Sequence, residues 1–169
     1  LGWFSVTDGN GTGRVLPLFA LAAVSPLIAV AIDLFVHFPE DMNQSFPASL
    51  AFYPSIGFLV EVVFHLVPIA VFLLLLECVV PDSRKKDTVW VVLLIAALIE
   101  PSYQTVSMVS GGHPLAVLPV VFVNLLLFNG IQMVLFKRSG FLAMYGSRLV
   151  YYAIWHIIWG HLRTGILFR

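Results

Sequence analysis

Residues 49–80, SLAFYPSIGFLVEVVFHLVPIAVFLLLLECVV, decide the fold class. The run is long enough to cross a bilayer, since a spanning helix needs roughly 20 apolar residues. Its apolar residues are continuous and lack the in-out alternation of a membrane β-strand, so a helix is expected. Inside it stand Glu61 and His65, ionisable groups at a depth where insertion costs about 2.5–3.5 kcal/mol each. Such groups face a protein interior or a watery cavity, so they mark a candidate functional site.

Similar runs lie on either side. Apolar stretches cover about 15–37, 49–80, 88–109, 115–136 and 141–162 of the 169 residues. The expected architecture is all-α, a polytopic membrane bundle of about five transmembrane helices forming one domain over 1–169. Composition agrees: 60% of residues are hydrophobic and 11% charged, with mean hydropathy +0.97. A soluble domain averages about 45–50% apolar and about 25% charged. Nine basic residues balance nine acidic ones, which points to neither a nucleic-acid partner nor a polybasic membrane tether. Cys78 is the single cysteine, so an internal disulfide framework and a CxxC motif are excluded. Residues 1–13, LGWFSVTDGNGTG, lack the basic start and apolar core of a signal peptide. The chain opens on Leu1, which leaves room for residues upstream.

Arg84, Lys85 and Lys86 follow the second run, and Lys137 and Arg138 the fourth. These connectors share one side of the bundle, and the positive-inside tendency makes it cytoplasmic, with Arg14 inside as well. The connectors around Glu40-Asp41 and around Gly111-Gly112-His113 lack Lys and Arg. Arg163 and Arg169 then fall outside, against the trend. The expected location is a multi-pass protein of a prokaryotic inner (plasma) membrane, in contact with lipids. Its further partners would be a membrane-associated peptide substrate or other membrane subunits.

Helical rise turns this orientation into depth. Measured from the cytoplasmic ends, Glu100 falls at about 18 Å, Gln104 at about 24 Å and His65 at about 22 Å. His156 falls at about 25 Å, Glu61 at about 28 Å and Asn124 at about 18 Å, with Arg148 lower at about 14 Å. Polar groups from four runs thus share a slab, as one common site requires.

Three constellations carry the chemistry. Glu61 and His65 lie four residues apart on one helix face. They read either as metal ligands or as a carboxylate orienting an imidazole, with a self-neutralising pair as the plain alternative. Pro68 is expected to kink this helix. In Glu100-Pro101-Ser102-Tyr103-Gln104, Pro101 disturbs the helix beside a carboxylate that Gln104 reaches from one turn on. Such a carboxylate suits a general base, or else serves as glue between helices. Arg148, Tyr152 and His156 repeat every four residues, and the buried Arg148 requires a carboxylate, Glu100 or Glu61. His156 could ligate a metal, stabilise an oxyanion or shuttle a proton. Asn124 and Asn129 either join the site or bond across helices. Asp33 and Glu77 lie near helix ends within reach of the interface, His37 and His113 at or beyond them. His161 reads as an ordinary interfacial residue.

These residues resemble the CPBP family of intramembrane proteases, which includes CAAX prenyl endopeptidases and bacteriocin-processing or self-immunity proteins. The family carries Glu-Glu-x-x-x-Arg, Phe-x-x-x-His and His-x-x-x-Asn motifs on successive helices. Ile99 to Gln104 is similar to the first, with Ile and Gln in place of the leading Glu and the Arg. Phe136 to His156 is similar to the last segment, with Gly160 where the family has Asn. The likeness covers about 88–160, and His65 is the candidate to replace the absent middle motif. It implies hydrolysis of a peptide bond at or in the membrane by Glu-activated water, or a degenerate relative without activity. Glu100 would be the base and His156 an oxyanion or metal partner, with Gln104 and Arg148 completing the catalytic set. Glu61, His65, Glu100 and His156 form the metal set, with Zn²⁺ as the ion considered. The competing class is a non-catalytic subunit of a larger membrane complex, structural or binding a haem or chlorophyll-type pigment through His65 or His156. Five runs without an internal repeat give no transporter architecture.

Overall fold

Backbone polar groups cannot be left bare in lipid, so each apolar run closes its hydrogen bonds internally as a helix. The computed structural model describes residues 12–112 and 114–168, and among them there is no strand. The expectations for residues 1–11, His113 and Arg169 lie outside the described residues. The first run forms α1 (Thr12–Ala22) and α2 (Val24–Val36), interrupted only at Ala23. The second forms α3 (Ser49–Glu61), a π-helical turn Val62–Leu66, and α4 (Val67–Glu77). Then come α5 (Lys85–Ser110) and α6 (Leu118–Ser139). The last run is α7 (Phe141–Tyr152), a second π-helical segment Ala153–Trp159, and α8 (Gly160–Leu167).

The helix bundle is therefore as the hydropathy implies. Four helical stretches are long and apolar enough to cross a membrane: Val15–Val36, Ser49–Glu77, Lys85–Ser110 and Leu118–Ser139. The stretch from Phe141 onward is helical through Leu167 but carries the buried arginines Arg148 and Arg163. In the first two spans 22% of the apolar window is buried, against 39% in α5 and 44% in α6, which makes those two the centre. Many outward side chains are large and apolar, Phe35, Leu74 and Leu142 among them, as lipid contact requires.

Two prolines act differently from one another. Pro68 follows the π turn, where the Val67 N–H reaches back to the Val62 carbonyl. The expected distortion is thus present, as a widened turn carrying His65. Pro101, by contrast, does not break its helix: α5 continues through it. Lacking an N–H, Pro101 leaves the Ala97 carbonyl one turn earlier without its helical donor. Asn129 Nδ2 on α6 supplies one at 3.4 Å, so Asn129 bonds across helices.

The last helix is held to α2 by an ion pair that also fastens the α2–α3 connector. Asp33 and Arg163 are both fully buried, not at the interface as their places near run ends suggest. Arg163 Nε donates to Asp33 Oδ2 at 2.7 Å and Nη2 to Oδ1 at 2.9 Å. Trp159 Nε1 and the Phe38 N–H complete the carboxylate's donors, and the carbonyls of Phe38 and Pro39 accept from the guanidinium. Removing one partner of a buried pair typically costs about 3–5 kcal/mol, because the other charge is left alone. Asp33→Ala is expected to lower unfolding stability by that order and to open the connector 37–48 to protease. Detergent unfolding and limited proteolysis check both, and a wild-type midpoint would refute the clamp.

Candidate functional site

Four helices deliver polar side chains to one buried position. Glu61 ends α3, His65 sits in the following π turn, Glu100 lies on α5, Gln132 on α6, and Ser147 and Arg148 on α7. Each of the six is at most 1% exposed. At that burial each polar atom needs a partner, and Arg148 supplies most of them.

The guanidinium takes Glu100 as a fork, Nη1 to Oε1 at 2.8 Å and Nη2 to Oε2 at 2.7 Å. Its Nε donates to Glu61 Oε1 at 2.7 Å, and Nη2 also to Gln132 Oε1 at 2.9 Å. Planar two-toothed contact is the geometry for which arginine suits carboxylates better than lysine. Gln132 accepts from Arg148 through oxygen and donates through Nε2 to Glu61 Oε1. Gln104 Nε2 donates to Glu100 Oε1 at 2.9 Å, the one-turn pair expected from the sequence. The Arg148 Cζ lies 5.2 Å from the Phe128 ring centroid and 5.8 Å from that of Tyr152. These aromatic faces add attraction for the cation. Gly57 lets α3 approach: a Cβ there would stand 3.0 Å from Tyr152 Cε2 and 3.4 Å from Arg148 Cγ.

One side of the network is unsaturated. His65 Nδ1 is 2.8 Å from Glu61 Oε2, and its Nε2 is 3.9 Å from Glu100 Oε2. Neither contact is aligned as a hydrogen bond. Glu61 Oε2 and both ring nitrogens of His65 therefore lack a hydrogen-bond partner among the described residues.

Glu61, His65, Glu100, Gln104 and Arg148 thus come together, although helical rise had put Glu61 and Arg148 about 14 Å apart in depth. His156 does not join them. The π-helical widening from Ala153 turns it away from the straight α-helical stripe of Arg148 and Tyr152. Its Nδ1 lies 2.6 Å from Asn43 Oδ1, and its ring stacks on Tyr53 at 4.4 Å. Asn124 is also elsewhere, donating to the Ser25 carbonyl at 3.1 Å. Gln132 and Ser147 are members the sequence reading passed over. A neutral amide in an apolar run was the available signal for Gln132.

The zinc set does not fit this arrangement. A guanidinium occupies the position toward which the two carboxylates converge, and a metal would have to displace it. Among the described residues no three His, Cys, Asp or Glu side chains are grouped to hold a metal ion. No family model matches the chain, and neither a curated protein nor a solved structure is detectably similar to it.

The energetics are testable by charge removal. Arg148→Met leaves two buried carboxylates facing each other and is expected to cost at least about 3–5 kcal/mol. Adding Glu61→Gln and Glu100→Gln to it should restore most of that loss, since no lone charge remains. Unfolding of the parent, Arg148→Met and the triple variant in mixed micelles measures this. A triple variant no more stable than Arg148→Met would mean that charge compensation is not what holds the four helices.

Proposed function

We propose that the chain is a membrane-embedded hydrolase, of the kind its resemblance to CPBP proteases implies, in which Glu61 activates water. The supporting observation is the unequal use of the two carboxylates. Both oxygens of Glu100 are taken by Arg148, and one also by Gln104. Glu61 is anchored through Oε1 by Arg148 and Gln132, and its Oε2 faces only the His65 imidazole, at 2.8 Å, in a contact outside hydrogen-bond geometry. A base needs that combination: a fixed position and an oxygen still able to accept a proton.

In this reading Glu100 is a positioning residue that holds Arg148. Water bound at Glu61 Oε2 and His65 attacks the carbonyl carbon of a membrane-associated peptide, and its proton passes to Glu61. The carbonyl π electrons move to oxygen, where Arg148 and Gln132 are the nearby donors. When the tetrahedral intermediate collapses, the C–N bond breaks and the proton held by Glu61 passes to the leaving nitrogen. The chain would act as a five-pass protein of a prokaryotic plasma membrane.

The test uses the full chain in lipid nanodiscs with a library of membrane-associated fluorogenic peptides. Cleavage is expected, falling by about 10²–10⁴-fold in Glu61→Gln, the range a general base contributes. Absence of cleavage by the parent protein, or cleavage that survives Glu61→Gln, would sink the proposal. A second reading is favoured by the bidentate Glu100–Arg148 pair: a non-catalytic packing subunit of a larger membrane assembly, with the polar centre as a helix lock. It expects no cleavage and a loss of stability alone in both Glu61→Gln and Glu100→Gln.

A further inference from the structure

A second polar feature adjoins the proposed hydrolytic centre and shares Gln104 with it. A part-open cavity of about 110 Å³ lies between α2, α5, α6, α7 with the π-helical segment after it, and the connector after α2. Its walls are mostly apolar, with Ala29, Leu125 and Met108 among them, and Phe38 and Trp155 supply aromatic faces. Three polar side chains, Gln104, Asn124 and Tyr151, also line it.

Tyr151 distinguishes this space from a packing defect. The residue is 6% exposed and its ring packs on Phe128 at a centroid distance of 4.7 Å. Its hydroxyl makes no hydrogen bond among the described residues. A tyrosine hydroxyl at an otherwise apolar wall offers a ligand one polar partner. Asn124 and Gln104 are held through their amide nitrogens, by the Ser25 carbonyl and by Glu100, so both amides keep a fixed orientation at the cavity wall. Small-molecule sites have this make-up: an apolar, aromatic lining with a few oriented polar groups. The lining residues carry no Lys, Arg, Asp or Glu, so the space suits an uncharged occupant.

We propose that this cavity binds a small neutral amphiphile, a single ring or a four- to five-carbon group with one hydrogen-bonding end that pairs with Tyr151. The volume sets the upper limit: a closed cavity of about 150 Å³ accommodates benzene, so this smaller, part-open space takes at most one ring, reaching its open side. The mixed lining selects a ligand with one polar end over pure hydrocarbon. The site is independent of the hydrolytic reading, as nothing in it requires bond cleavage.

Phenol and benzene serve as probes on the full chain in nanodiscs, with ¹³C-methyl methionine as reporter. Met42 and Met108 line the cavity, whereas Met133 and Met144 are buried elsewhere in the core. Phenol is expected to shift Met42 and Met108 alone and to bind about fivefold more tightly than benzene, the effect of one net hydrogen bond. Tyr151→Phe should erase that preference while leaving benzene binding in place. Ala29→Phe should fill the space and abolish both, with unchanged Met133 and Met144 signals showing that the fold persists. Equal shifts at all four methionines, absence of shifts at millimolar probe, or undiminished binding in Ala29→Phe would each overturn the proposal. None of these readouts depends on peptide cleavage.

Discussion

The guanidinium of Arg148 between Glu61 and Glu100 is the constraint around which the bundle is arranged. Moving charged groups out of water costs several kcal/mol per ion even after relaxation, and only close, complete pairing offsets it. Lipid offers no substitute partners, so the pairing must come from other helices. Four separate places in the chain, on α3, α5, α6 and α7, therefore have to arrive at one point in one register. Apolar packing alone would tolerate sliding of these helices, since lipid tails are as apolar as the side chains they contact. The ion network removes that freedom, and Gly57 and Phe128 show the backbone and aromatic packing fitted to it.

A second buried pair makes the comparison informative. Around Asp33 and Arg163 both carboxylate oxygens are engaged, by the arginine, by Trp159 and by the Phe38 N–H, and connector carbonyls receive the remaining guanidinium contacts. That pair is saturated, as a purely structural clamp should be. The Arg148 network is saturated on its Glu100 side and open on its Glu61–His65 side. Unsatisfied buried groups are few in folded proteins and call for a specific reason. The difference between two ion pairs in one small bundle is what separates a clamp from a candidate reaction centre.

The helices, and the shared level of His65, Glu100 and Gln104, were legible in the amino-acid sequence because both depend on local quantities. Hydropathy over about 20 residues defines a span, and rise per residue gives depth. The Glu100–Gln104 contact and the need of Arg148 for Glu100 or Glu61 followed from the same local rules. Which way a side chain faces around its helix did not follow. Depth arithmetic placed His156 and Asn124 beside Glu100, whereas His156 bonds Asn43 and Asn124 bonds the Ser25 carbonyl. The π-helical segment at Ala153–Trp159 alters the turn angle where the four-residue stripe was extrapolated. Asp33 and Arg163 were misplaced for a related reason. Nearness to a run's end gave them a route to the interface, and their 130-residue separation hid the partner that keeps both inside.

Charge counting indicates where this network is least settled. Two carboxylates face one guanidinium, so one of them is less completely paired than the other. Glu100 receives two guanidinium bonds and an amide bond, so its charge is the better compensated. Glu61 receives one guanidinium bond and one amide bond, both on the same oxygen. The uncompensated charge therefore concentrates at Glu61 Oε2, 2.8 Å from the His65 imidazole. The widened backbone brings the imidazole to that oxygen, and the ring's Nε2 stays 3.9 Å from Glu100 Oε2.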